Sequence, residues 1–141
     1  MAAEYVIEDL TVLFSFRGRI RRGTFWDGWA VRTLLSLLFG AGLLGLSILG
    51  LSNSALWMAG GVLGCLPLYI WLSVCAKRWH DLGLPSAMII LNVLPLAALA
   101  FVKTHPHPAA LAGGALDTLL ILYLGLAPGA HSPNKFGEKA I

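Results

Sequence analysis

The stretch TLLSLLFGAGLLGLSILGL, residues 33–51, contains neither a charge nor a proline, and its reading decides the fold. A helix needs about 20 consecutive apolar residues to cross the hydrocarbon of a bilayer, and this run has that length. Three more runs follow at 55–76, 86–102 and 109–127. The third is short and draws on its flanks; the fourth carries one charge, Asp117. Charged residues make up 12% of the chain and hydrophobic ones 57%, whereas soluble domains are about a quarter charged. Mean hydropathy is +0.77. The 141 residues suit a single membrane domain, 1–141. The expected fold is all-α: a four-transmembrane-helix bundle with spans at about 24–51, 55–81, 85–102 and 109–127, an N-terminal segment 1–23 and a tail 128–141.

Turn chemistry sets these boundaries. Ser52-Asn53-Ser54 divides the first two runs, and the proline-rich stretch around His105, Pro106, His107 and Pro108 divides the last two. Both connections are short enough for helical hairpins. Thr24 followed by Asp27 has the spacing of a capping box, so the first helix is expected to start near Thr24. Gly83 and Pro85 are a stop and restart after the second. Arg17, Arg19, Arg21, Arg22, Arg32, Lys77, Arg78, Lys135 and Lys139 fall on one side of this arrangement and Lys103 on the other. The positive-inside rule then places both termini in the cytoplasm. A net charge of +3 thus reads as membrane orientation, and no nucleic-acid partner is expected. Upstream, Val6, Ile7, Leu10, Leu13 and Phe14 recur at helical spacing opposite acidic residues, the pattern of an N-terminal amphipathic interfacial helix. That segment lacks the basic start and apolar core of a cleaved signal peptide.

Three polar segments fall on the cytoplasmic side: 14–26, rich in arginine and glycine; 77–83, containing Lys77, Arg78, His80 and Asp81; and 132–137, containing Asn134 and Lys135. If the helices bundle, Arg17, Arg19, Arg22, Arg78, His80, Asp81 and Asn134 converge. One reading makes them a site for an anion, an anionic lipid headgroup or a partner protein. The other makes the basic residues topology signals, with Asp81 paired to an arginine and fixing a loop. His80 and Asp81 do not form a dyad by spacing, since neighbours on a helix point about 100° apart.

These segments resemble the bacterial inner-membrane family known as domain of unknown function 805. The resemblance rests on Phe16, Gly18, Arg19, Ile20, Arg22, Phe25 and Trp26 in the first, on Lys77, Arg78, His80, Asp81, Leu82 and Gly83 in the second, and on Pro133, Asn134, Lys135, Phe136 and Gly137 in the third. It covers most of the chain, from about Phe14 to Gly137. Ser132 stands where the closing motif usually has glycine, and Lys77 where the second usually has arginine. The resemblance implies a small multi-pass protein of the bacterial inner membrane and supplies no reaction.

Asp117 lies about 12 Å from either end of its span at 1.5 Å per residue. A carboxylate at that depth costs about 2.5–3.5 kcal/mol on insertion scales, so it should face other helices, be protonated or be paired. Asn92, Tyr69, Ser73 and Tyr123 are possible partners. An oligomeric proton- or ion-coupled transporter or channel using Asp117 is therefore the alternative to a binding or accessory module. His105 and His107 lack acidic neighbours, and Cys65 and Cys75 sit about 15 Å apart along one helix, so neither a metal site nor a disulfide is expected. No cofactor is indicated. No serine or cysteine nucleophile with a visible base, paired carboxylates or phosphate-binding loop appears, so the chain is not read as an enzyme. Expected partners are membrane lipids, further copies of the chain or another membrane protein.

Overall fold

The computed structural model describes residues 13–98 and 106–137. It contains four α-helices: α1, Arg22–Ile48; α2, Asn53–Asp81; α3, Ile89–Ala98, entered through a 3-10 turn at Ser86–Met88; and α4, Pro106–Leu126. Among the described residues there is no strand, and the one β-bridge joins Asn134 to Gly137. Leu13 and Phe14 are helical, while the rest of the expected amphipathic segment lies outside the described residues.

Two helices are long and apolar enough to cross a membrane. With 27 residues in α1 and 29 in α2, they extend about 40 Å and 43 Å at 1.5 Å per residue. Their outward surfaces are greasy: Leu34, Leu37, Leu38, Leu44 and Ile48 on α1, and Trp57, Met58 and Val62 on α2, are all exposed. A water-soluble protein rarely leaves so much contiguous apolar surface uncovered. The apolar stretches Ser86–Pro95 and Ala110–Leu126 are shorter.

Helix ends follow the glycines. Gly50 has φ +85° and Gly83 has φ +79°, left-handed values that glycine adopts without a Cβ penalty. At α2 the Gly83 amide donates to the His80 carbonyl at 3.0 Å and the Leu84 amide to Trp79 at 2.9 Å, the paired bonds of a Schellman stop. Ser52 starts α2, its hydroxyl accepting the Ala55 amide at 3.4 Å.

Two expected boundaries shift. Thr24 is not the cap of α1, because the Phe25 amide already donates to the Arg21 carbonyl at 3.0 Å. Capping preference amounts to about 1 kcal/mol, and the buried anchors Arg19 and Ile20 just upstream decide where the chain turns into the helix. α4 begins at Pro106 rather than 109, placing Pro106, His107 and Pro108 in its first turn. Proline fits there, since a first-turn N–H has no intrahelical partner to lose.

The chain divides into two compact units, one built on Asp27–Ser73 and the other joining Phe16–Trp26 to the residues from Val74 onward. In the first, the end of the N-terminal segment is pinned to α2: the Tyr69 hydroxyl donates to the Phe14 carbonyl at 2.9 Å, and Ser73 donates to Leu13. Arg32 lies 5.3 Å above the Trp71 ring, within cation–π range. In the second, α3 packs along α4, and the polar cluster described next forms.

Candidate functional site

All three motif segments meet within the second unit. Asp81 closes α2 and is buried, and its carboxylate lies between two buried guanidinium groups. Arg19 reaches Oδ1 through Nε at 3.1 Å and Nη2 at 2.9 Å. Arg78, one helical turn back from Asp81, pairs with Oδ2 through Nη1.

The remaining arginine donors hold the segment after α4. Arg19 Nη2 donates to the Ala130 carbonyl at 2.6 Å, and Nη1 donates to Ser132 at 3.0 Å and Gly137 at 3.2 Å. Arg19 therefore uses all five of its N–H donors inside the protein. Arg78 Nε donates to Leu124 at 2.6 Å and Nη2 to Ala127, carbonyls left without partners where α4 runs out. The Ala130 amide completes the junction by donating to the Asp81 main-chain carbonyl at 2.9 Å.

The closing motif docks through its own turn. Asn134 Oδ1 accepts the Phe136 amide at 2.9 Å, an Asx turn, while Nδ2 donates to the His80 carbonyl at 2.9 Å. This lays Phe136 on His80, with ring centroids 4.0 Å apart and planes 5° apart. His80 Nδ1 is 3.0 Å from the Gly18 carbonyl. Because that oxygen can only accept, Nδ1 carries a proton. Nε2 faces the Ser86 hydroxyl at 2.6 Å. The side chains of His80 and Asp81 thus go to separate partners.

A family model described as Protein of unknown function (DUF805) matches residues 13–138. The chain belongs to that family. No curated protein and no solved structure gives a significant match. In this DUF805 chain, the three segments that carry the resemblance are the ones that interlock.

Of the residues expected to share a site, Arg19, Arg78, His80, Asp81 and Asn134 come together, as a mutually bonded latch. Arg17 and Arg22 are exposed on the surface of the same unit, as is Lys135, whose ammonium lies 5.0 Å from the Phe136 ring. Asn92 is buried, and its Oδ1 accepts the Trp79 indole N–H at 2.8 Å. Its Nδ2 has no partner among the described residues. Asp117 is half-buried on the inward stripe of α4 that also carries Gly113, Leu120, Ile121 and Leu124.

Three participants were invisible in the sequence reading. A Cβ at Gly129 would overlap the Asp81 carboxylate, and one at Gly125 would overlap the Trp26 ring, so both glycines are required by close approach. Their spacing of four, next to the closing motif, was the available signal. Ser86 was missed because it meets His80 only through the reversal at Gly83.

Proposed function

We propose that the chain is a multi-pass protein of the bacterial inner membrane, crossing four times with both ends cytoplasmic. It serves as a binding or accessory module whose cationic cytoplasmic surface holds anionic lipid headgroups. The latch supports the topology, because residues 19, 81 and 130 share hydrogen bonds and must lie on the same side of any bilayer the chain crosses. The observation that carries the binding reading is the exposure of basic residues on the unit that holds the latch. Arg19 spends every donor internally, while Arg17, Arg22 and Lys135 are exposed on the same unit. Basic residues at a membrane surface contribute about 1 kcal/mol each towards anionic lipid, so three together provide about a hundredfold preference over neutral lipid.

Native mass spectrometry of the detergent-purified protein with phosphatidylglycerol or cardiolipin tests this. The combined Arg17→Gln, Arg22→Gln and Lys135→Gln protein should lose retained anionic lipid. Unchanged retention rejects the reading, and co-purification of a protein lost in the triple variant replaces lipid with a partner protein. Substituting Arg19 or Arg78 instead would report on folding.

A second reading has its own observation. Asp117 has no hydrogen-bond or ion-pair partner among the described residues, and the next turn borders a shallow outward groove lined by Leu111, Gly114, Ala115 and Thr118. Small residues of this kind let helices approach closely, so the outward side of α4 can receive a second copy while Asp117 lies on its inward side. This is the arrangement of an oligomeric proton- or ion-coupled transporter or channel. Proteoliposome flux that survives Asp117→Asn unchanged removes that role.

A further inference from the structure

A serine hydroxyl beside a histidine whose far nitrogen is fixed by a third group is the arrangement that activates a nucleophile. Ser86 Oγ is 2.6 Å from His80 Nε2, and His80 Nδ1 is held 3.0 Å from the Gly18 carbonyl. The proton on Nδ1 leaves Nε2 of the neutral ring as an acceptor, so the Ser86 hydroxyl donates to it. Accessibility is divided as the chemistry requires: Ser86 is exposed, whereas His80 is only 4% exposed.

Both the ring and the main chain of His80 are held. Phe136 covers one face, Asn134 holds the His80 carbonyl, and the Schellman stop at Gly83 sets the path from His80 to Ser86. A histidine needed merely to end a helix would not call for a ring clamped by residues from all three family motifs. Ser86 also stands where the chain re-enters an apolar helix, with Ile90 exposed one turn on, so a reactant reaching it would be amphiphilic.

We infer that Ser86 is a nucleophile activated by His80 and that it accepts the acyl group of an amphiphilic ester. In the acylation step Ser86 Oγ bonds to the ester carbonyl carbon, and the ester C–O bond breaks. The hydroxyl proton passes to Nε2 and from there to the departing alcohol. Water, activated by the same nitrogen, later releases the acid and restores the serine. The Gly18 carbonyl holds the ring in the correct tautomer throughout and favours the transient imidazolium. His80 is the catalytic base and Gly18 a positioning residue.

Labelling with a fluorophosphonate reads the nucleophile directly: the Oγ–P bond forms, the P–F bond breaks, and the hydroxyl proton and fluoride leave. Mass spectrometry of the detergent-purified wild-type protein should find Ser86 labelled at least about a hundredfold faster than the exposed Ser54, which has no basic partner, as expected for base assistance. Unfolding in SDS should abolish the difference. His80→Gln should remove about the same factor; if that variant does not fold, the native-to-unfolded comparison on wild type decides. Equal rates at Ser86 and Ser54, or undiminished labelling in folded His80→Gln, overturn the inference. Exposure to p-nitrophenyl octanoate should then give a burst of nitrophenol stoichiometric with protein and absent from Ser86→Ala. Labelling without a burst overturns the ester assignment.

Discussion

Replacing Asp81 with asparagine isolates what the carboxylate does in the latch. The side chain is 4% exposed and faces two guanidinium groups that are 2% and 0% exposed, so the cluster carries a net charge of +1. Asparagine keeps the shape and one acceptor oxygen but raises that charge to +2, and turns an amide N–H towards an arginine. Breaking one side of a buried ion pair costs about 3–5 kcal/mol, most of it from the charge left uncompensated. Total stabilities are about 5–15 kcal/mol, so about a fifth or more is at stake. At about 3 °C per kcal/mol for a chain of this size, Asp81→Asn should lower the unfolding midpoint in detergent by about 9–15 °C. Size-exclusion chromatography after graded heating would read the midpoint. A fall of less than about 3 °C, equivalent to about 1 kcal/mol, would show that the arginines are compensated by solvent or a bound anion, and would refute the latch. Making all three residues apolar should not rescue stability, although such replacement of buried ion networks is often harmless. Here the arginines also supply the donors for Leu124, Ala127, Ala130, Ser132 and Gly137.

Gly129→Ala should destabilise the protein by about 1–3 kcal/mol, the usual range for overpacking; in a thermal-shift cycle its effect should shrink when Asp81 is already alanine, which removes the overlapping carboxylate. Gly125→Ala should push the Trp26 indole away and shift its fluorescence, with stability recovered in part by Trp26→Phe; an unchanged spectrum would mean the ring does not lie on Gly125. Asn134→Ala removes two hydrogen bonds at about 1 kcal/mol each, and should speed amide exchange at residues 134–137 while leaving α1 and α2 protected.

The helices were legible because hydropathy and turn chemistry act locally: Gly83 ends α2 where the sequence alone places a stop, and the break between α1 and α2 falls beside Ser52-Asn53-Ser54. α1 starts at Arg22, two residues before the Thr24 cap pattern and next to the buried Arg19 and Ile20, whose long-range contacts a local pattern does not encode. The motif segments meet within one unit, yet charge counting could not tell which cations face outward. That depends on contacts spanning 111 to 118 residues between Arg19 and the tail, which no periodicity encodes. Asp117 illustrates the same limit, since Asn92 answers to Trp79.

The latch also constrains topology through parity. Arg19, Asp81 and Ala130 are joined by hydrogen bonds, so the chain must cross any membrane an even number of times between 19 and 81, and again between 81 and 130. α1 and α2, each long enough to span, account for the first pair. For the second, either both α3 and α4 cross or neither does, and a dipping pair would satisfy the latch equally well. The apolar exposure of Leu111, Leu119 and Leu126 on α4, and its 21 residues, or about 31 Å at 1.5 Å per residue, favour crossing. In a protein with Cys65 and Cys75 changed to alanine, Pro108→Cys should react with an impermeant maleimide from the face opposite to Lys135→Cys. Labelling of both positions from one face would leave the latch intact but reduce the count to two spans, and would take from Asp117 the mid-membrane position on which its transport role depends.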